Sequence, residues 1–164
     1  MERQIRSMMN MAALRRIMMK QIRRNVFETN SSSVHSLVYS QNGLEPSELK
    51  INKSGDVFVA LGKFDNSYCV YKDQYNKLSY LLTCIYYLAG CDVDKIYTRS
   101  EFEEVQKAVC NYTGAKSLKI DNSEGHIDHQ SVPEWGITII NVYSEDEVIN
   151  FIFNRNIWLK TDCD

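Results

Sequence analysis

Apolar residues recur every three or four positions in two long stretches of the chain, which predicts two amphipathic helices. The first stretch covers 73–89 and is followed by Gly90, a residue typical of helix ends. The second covers 100–112 and opens with Ser100 and a glutamate three positions later, which is a capping-box pattern. The same pattern predicts a short third helix over 144–154. We expect these helices to build the core.

Short apolar stretches bounded by turn residues predict strands around these helices. The residues of 57–61 are apolar at every position, which indicates a strand buried on both faces. The stretch 136–143 is rich in Ile, Thr and Val and gives the clearest strand signal. The predicted strands cover 34–40, 49–52, 56–61, 116–120, 136–143 and 156–160. This order predicts an α+β domain with a mainly antiparallel sheet covered by two or three helices.

A basic segment precedes an acidic body. Residues 1–24 carry a net charge of +6, whereas the remainder carries −8. Residues 2–22 contain no Gly or Pro, which predicts a basic helical arm over 1–24 and a single domain over 25–164. A second plausible start at Met19 leaves the alternative that the first 18 residues are an upstream extension of little importance. A basic arm on an acidic body favours nucleic acid, an anionic surface or another protein as the partner of the arm.

Composition places the chain among ordinary globular proteins of one domain. It has 164 residues, of which 44% are hydrophobic and 24% charged, a balance that excludes intrinsic disorder. The five cysteines form no C-x-x-C pair, which predicts free thiols in a reducing cytosol. No apolar stretch is long enough to cross a membrane, so a cytoplasmic protein is expected.

The polar run 29–36 (TNSSSVHS) concentrates hydroxyl and amide groups before the first predicted strand of the domain. A turn of such residues can hold an anion in a nest of backbone amides. Capping a helix end or tightening a turn needs only one of them, so the anion-site and structural interpretations both stay open. No P-loop or dinucleotide-binding glycine pattern is present. The candidate anion ligands are Thr29, Asn30, Ser31, Ser32 and Ser33, with Arg155 added from the tail.

A second polar segment (HIDHQS) holds the other two histidines of the chain. His126 and His129 stand three positions apart and can share a metal ion on a helical turn, with His35 completing the set. Alternatively, a serine hydroxyl activated by His35 or His129 and oriented by Asp128 makes a nucleophilic site. A solvated loop is the third interpretation. No H-E-x-x-H or G-x-S-x-G pattern decides between them, so we expect no cofactor, with a divalent metal as the alternative.

The stretch 23–33 (RRNVFETNSSS) and the His-Ser pair at 35–36 resemble the opening of small proteins carried by phages and prophages of Gram-positive bacteria. The segments 127–131 (IDHQS) and 151–154 (FIFN) are similar to features of the same group. The resemblance covers about 19–164 and leaves the first 18 residues outside it. It implies no enzymatic activity. It implies a protein of the bacterial host's cytoplasm that counters a host defence, CRISPR effectors included, by direct binding.

Two functional classes follow from these patterns. The first is a non-enzymatic phage protein that binds and inhibits a host defence component stoichiometrically, with its acidic body occupying a channel built for phosphate backbones. The second is a small enzyme or sequestering protein that acts on a nucleotide or another phosphate-bearing ligand through its Ser, His and Asp residues. The first class is the main expectation. Its candidate partner contacts are Arg15, Arg16, Arg23, Arg24, Glu101 and Glu104.

Overall fold

A computed structural model describes residues 20–22, 33–39, 43–64, 68–121, 124–127, 137 and 139–163. These ranges contain both helices and strands, so the expected α+β class is confirmed. The described strands are β1 (Lys20–Ile22), β2 (Ser33–Tyr39), β3 (Asp56–Val59), β4 (Lys63–Phe64), β5 (Cys69–Tyr71), β6 (Ser117–Ile120), β7 (His126–Ile127) and β8 (Trp158–Cys163). The described helices are α1 (Gln74–Leu88), α2 (Val93–Ile96), α3 (Ser100–Thr113) and α4 (Glu145–Phe153).

The described strands form one antiparallel sheet and two parallel pairs. The antiparallel sheet has the order β1-β2-β8-β5, while β3 pairs with β6 and β4 pairs with β7. Helices α1 to α3 lie in the chain between the members of each pair, and a crossover of this kind returns the chain parallel. The Val59 carbonyl accepts from the Asp121 amide and the Gly62 carbonyl from the His126 amide, so the two pairs follow one another. The sheets are therefore small and mixed in direction.

Aromatic rings connect the antiparallel sheet to the helices beneath it. The ring of Phe64 meets Tyr71 of β5 edge-on at 5.2 Å and Tyr80 of α1 at 5.1 Å between centroids. Tyr80 in turn lies 6.5 Å from Phe151 of α4. Burying a side chain of this size stabilises a fold by roughly 1.5–3 kcal/mol. One face of the sheet is thus held against the core, and the other face remains outside.

Lys77 lies in the middle of this core with a relative exposure of 0%. Its Nζ donates to the carbonyl of Asn154 at 2.9 Å and to that of Ile157 at 3.2 Å. Asn154 is the C-cap of α4, where the helix dipole favours a cation. The contact ties α1 to the turn that leads from α4 into β8. It thereby fixes where the central strand of the antiparallel sheet begins.

Several predicted elements are confirmed within a few residues, but the strand over 136–143 is wrong. Its described residues, 137 and 139–143, contain bends and turns and no strand. The side-chain oxygen of Asn141 accepts a hydrogen bond from the backbone amide of Tyr143 at 3.2 Å. The backbone amide of Asn141 donates to the carboxylate of Glu147 at 3.0 Å. This bonding turns the chain into α4. Ile140 and Val142 are buried in the core, which explains the apolar pattern without a strand.

Other local expectations are corrected by side-chain placement. The predicted strand over 49–52 is reduced to a single antiparallel bridge between Ile51 and Val57. Phe58 is 42% exposed, so β3 is buried on one face only. The capping box at Ser100 does not form, because the N-cap of α3 is Arg99 and makes no side-chain cap bond. Four cysteines have described side chains, and all four are free thiols, of which only Cys84 is buried.

The predicted basic helical arm lies almost entirely outside the described residues. Its last part is described, and there Lys20–Ile22 form strand β1 instead of helix. Antiparallel pairing with β2 supplies the backbone hydrogen bonds that a helix would have satisfied internally. The division between an arm and a domain at residue 24 stays a prediction.

Burial predicts a distinctive pH dependence for Lys77, because it lowers the pKa of the ammonium from 10.5 to about 8. Between these values the unfolded chain holds a proton that the folded chain has released, so raising the pH disfavours unfolding. We expect the free energy of unfolding of the wild type, minus that of Lys77→Met, to rise between pH 8 and pH 10.5 and to stay level below. Urea titrations across this range measure it. A difference that falls or stays constant with pH would contradict the burial of a charged amine.

Candidate functional site

The outer face of the antiparallel sheet is defined by strict alternation along β5 and β8. Leu159 and Thr161 of β8 are buried, whereas Trp158 and Lys160 between them are partly exposed. The register pairs Val70 with Lys160, which places Val70 on the same outer face. The residues that make up this face, called here the aromatic–lysine face, are Tyr68, Val70, Lys72, Trp158 and Lys160.

Tyr68 is the most open ring of this face. It is 62% exposed and precedes β5 by one residue. The Nζ of Lys160 lies 5.4 Å from the centre of its ring. A cation at this distance is attracted by the ring quadrupole, an interaction worth roughly 0.5–1 kcal/mol at an exposed position. The pair presents a flat π surface with a positive charge beside it.

Trp158 forms a tighter pair with the other lysine of the face. The Nζ of Lys72 lies 4.0 Å from the centre of the Trp158 ring. The indole Nε1 donates to the carbonyl of Arg155 at 3.2 Å, which fixes the orientation of the ring. Lys72 follows β5 directly and is exposed, and its ammonium lies over the indole ring.

Positive charge on this face is not neutralised by the described carboxylates. Within the part of the chain that the structure describes, neither Lys72 nor Lys160 forms an ion pair. β1 is the opposite edge strand of the same sheet, about 14 Å from β5 at ordinary strand spacing. Arg23 and Arg24 follow β1 directly in the sequence. The basic segment therefore enters the sheet that carries the aromatic–lysine face.

The two polar segments singled out from the sequence lie in different sheets where they are described. Ser33 and His35 belong to β2 and pair in register with Cys163 and Thr161 of β8. His126 is exposed and lies in β7, paired with Lys63. A strand at this position is incompatible with a helical turn starting at His126. The remaining candidates in these segments, Thr29, Asn30, Ser31, Ser32, Asp128 and His129, lie outside the described residues.

A search for a metal centre among the described side chains finds no group of three His, Cys, Asp or Glu residues that could hold an ion. The three-histidine hypothesis includes His129 and the side chain of His35, about which the described part of the chain gives no information. The same holds for the nucleophilic hypothesis, which needs Asp128. Both stay predictions.

The two acidic candidates for partner contacts, Glu101 and Glu104, lie in different environments. Glu101 is only 8% exposed, and its carboxylate accepts from Arg99 Nε at 3.0 Å and Nη2 at 2.8 Å. Burial acts to raise the pKa of Glu101, but the hydrogen bonds from Arg99, from its own backbone amide and from Ser100, together with the charge of Arg99, hold that pKa below its ordinary value. Glu101 as an exposed partner contact is therefore wrong. Glu104 lies 3.7 Å from Lys107 and stays half-buried at the surface.

The arginine candidates are placed only in part. Arg155 pairs with Glu45 at 3.1 Å, so its charge is already partnered, although the side chain is 66% exposed. This pairing weakens its interpretation as an anion ligand, since an incoming phosphate would compete with the Glu45 carboxylate. Arg15, Arg16, Arg23 and Arg24 lie outside the described residues.

Sequence reasoning did not single out the aromatic–lysine face. The sequence does contain a pattern for this face, because side chains at alternate positions of a strand point to the same side. Tyr68, Val70 and Lys72 are spaced in this way, and so are Trp158 and Lys160. Reading the two patterns as one surface requires the pairing of β5 with β8, which are separated by four helices in the chain. That long-range pairing is what the sequence alone does not provide.

Comparisons with known proteins give no further assignment. No family model, no curated protein and no solved structure matches this chain. None of the described helices is both long enough and apolar enough to cross a membrane. The function is therefore argued from the chemistry of its own side chains.

The alternation of the face predicts which side chains carry stability. We expect Leu159→Ala, at 0% exposure, to lower the free energy of unfolding by about 2–5 kcal/mol, because it leaves a cavity in the core. Tyr68→Ala and Lys160→Ala should each cost at most about 1 kcal/mol, since they remove only surface contacts. Urea denaturation of the three variants measures this. Losses of similar size at Leu159 and Tyr68 would show that the outer face is structural.

Proposed function

We propose that the protein is a non-enzymatic binding protein that engages single-stranded nucleic acid on its aromatic–lysine face. The observation that carries the proposal is the placement of two aromatic rings, each with its own lysine, on one exposed sheet face. Bases of an unpaired strand have open π surfaces that stack on exposed aromatic side chains, and the phosphates between them pair with lysines. A largely acidic body is compatible with this, because binding needs positive charge only along the path of the strand.

In this proposal Tyr68 supplies the stacking surface, because its ring is the most exposed. Lys160 and then Lys72 contact phosphates that follow the stacked base along the strand. The basic segment 1–24 includes β1, the opposite edge strand of the same sheet, and its net charge of +6 favours a nucleic-acid partner. A duplex is a poorer ligand, since its bases are already stacked and paired.

A second proposal concerns biological role. The resemblance to phage proteins leads us to propose that binding serves to inhibit a host defence component directly, such as a nucleic-acid-guided nuclease. An exposed binding face favours an inhibitor that acts in proportion to its molar ratio with the target. RNA-guided nucleases hold and expose single strands during target recognition, so a strand-binding inhibitor has a point of attack. An inhibitor that acts at substoichiometric amounts, and loses this on Asp128→Ala, would instead support the enzyme alternative.

Fluorescence anisotropy with a labelled single-stranded oligonucleotide tests the first proposal. We expect Tyr68→Ala to weaken binding by about 5- to 150-fold, because stacking of one base is worth roughly 1–3 kcal/mol. We expect Lys72→Gln and Lys160→Gln each to reduce the slope of log affinity against log salt by about 0.7, the value for one phosphate contact of a single strand.

The matched controls are Lys53→Gln, which removes an exposed lysine from the turn before β3, and Tyr68→Trp, which keeps an aromatic ring. Both should bind as the wild type does. Binding that is lost equally in Lys53→Gln would indicate general charge attraction. Wild-type protein that binds no single strand at low salt, or binds a duplex of the same length more tightly, would contradict the proposal.

A further inference from the structure

The aromatic–lysine face contains two separate binding stations instead of one continuous patch. The first station is Tyr68 with Lys160 beside its ring. The second is Trp158 with the Lys72 ammonium over its ring. They differ in character, since the Tyr68 ring is open to solvent whereas the Trp158 ring is half-buried and already in contact with a cation. A base is therefore expected at the first station and a phosphate at the second.

Strand register gives the separation of the two stations. Tyr68 and Lys72 are four residues apart across β5, which corresponds to about 13 Å of extended backbone. Lys160 pairs with Val70, the midpoint between them. Along the strand direction the order is therefore Tyr68, Lys160, Lys72, with Lys160 on the neighbouring strand β8.

The repeat length of an unstacked nucleic acid strand matches the spacing of Tyr68 and Lys72 along β5. Each nucleotide of a duplex strand advances about 3.4 Å, and an unstacked strand extends to about twice that, or ~7 Å. Two such repeats span the backbone spacing of about 13 Å between Tyr68 and Lys72. A mononucleotide placed on Tyr68 can reach Lys160 but not Lys72.

We infer that the ligand class of this face is a single-stranded oligonucleotide of at least three nucleotides, in which the Tyr68 base and the Lys72 phosphate are two repeats apart. This inference rests on the proposed single-strand binding. Trp158 acts here as a positioning residue, because it holds the Lys72 ammonium in place before the ligand arrives. Once the first station is occupied, binding at the second is intramolecular, and its effective concentration can reach the millimolar range.

A length series tests the inference. Affinities of the full chain are measured by competition against a labelled 12-nucleotide oligothymidylate, using unlabelled oligothymidylates of one, two, three, four and six nucleotides. We expect a step of at least about tenfold between two and three nucleotides, followed by a shallow rise, since linkage of two sites gives such gains. The step should disappear in Lys72→Gln and shrink in Trp158→Leu, while Trp158→Phe, which keeps a ring under the cation, should retain most of it.

Two further variants distinguish a failure of the proposed single-strand binding from a failure of the two-station inference. Lys53→Gln should keep the step, and Tyr68→Ala should lose affinity at every length. If no oligonucleotide of any length competes, the proposed function itself fails. If long oligonucleotides bind but affinity rises smoothly with length, or if Lys72→Gln keeps the full step, single-strand binding stands and the two-station inference is overturned. Circular dichroism of each variant confirms that it is folded.

Discussion

The buried ammonium of Lys77 is the interaction on which the rest of the structure depends. It joins α1 to the turn between α4 and β8 through two carbonyls, those of Asn154 and Ile157. An amine with no exposure is costly to bury, and it is retained only where its hydrogen bonds are supplied. The turn cannot shift without breaking them. Since β8 begins directly after this turn, the register of the antiparallel sheet is fixed from the core outward.

Fixing β8 gives the sheet two faces with different chemistry. The inner face carries Leu159 and Tyr71, which pack against the core. A slip of one residue would exchange these with Trp158 and Lys160, burying a charge and exposing a leucine. The strong cost of that slip keeps the lysines and aromatic rings outward. The orientation of the aromatic–lysine face is thus set by the core beneath it.

Local pattern was sufficient to predict helices α1, α3 and α4 and strands β2, β3, β6 and β8, because periodicity and turn residues act within a few positions. It did not predict α2 or the strands β1, β4, β5 and β7. It was also insufficient where particular side-chain hydrogen bonds decided the outcome. The apolar run before α4 packs into the core without forming a strand, because the side chains of Asn141 and Glu147 accept hydrogen bonds from the backbone there. Glu101 is buried because Arg99 pairs with its carboxylate. The aromatic–lysine face was missed because β5 and β8, which carry it, meet only through long-range pairing. The segments around Thr29 and Asp128 lie outside the described residues, so their predictions stand as made.

Binding of a single strand at the outer sheet face is tested most directly by nuclear magnetic resonance. Amide resonances of the ¹⁵N-labelled full chain are followed while an unlabelled 12-nucleotide single strand is added. We expect the largest shift changes in β5 and in β8 between Trp158 and Lys160, together with the indole resonance of Trp158, and little change in α3. Shifts confined to α3 and α4, or spread evenly over every exposed lysine, would contradict a binding site on the aromatic–lysine face.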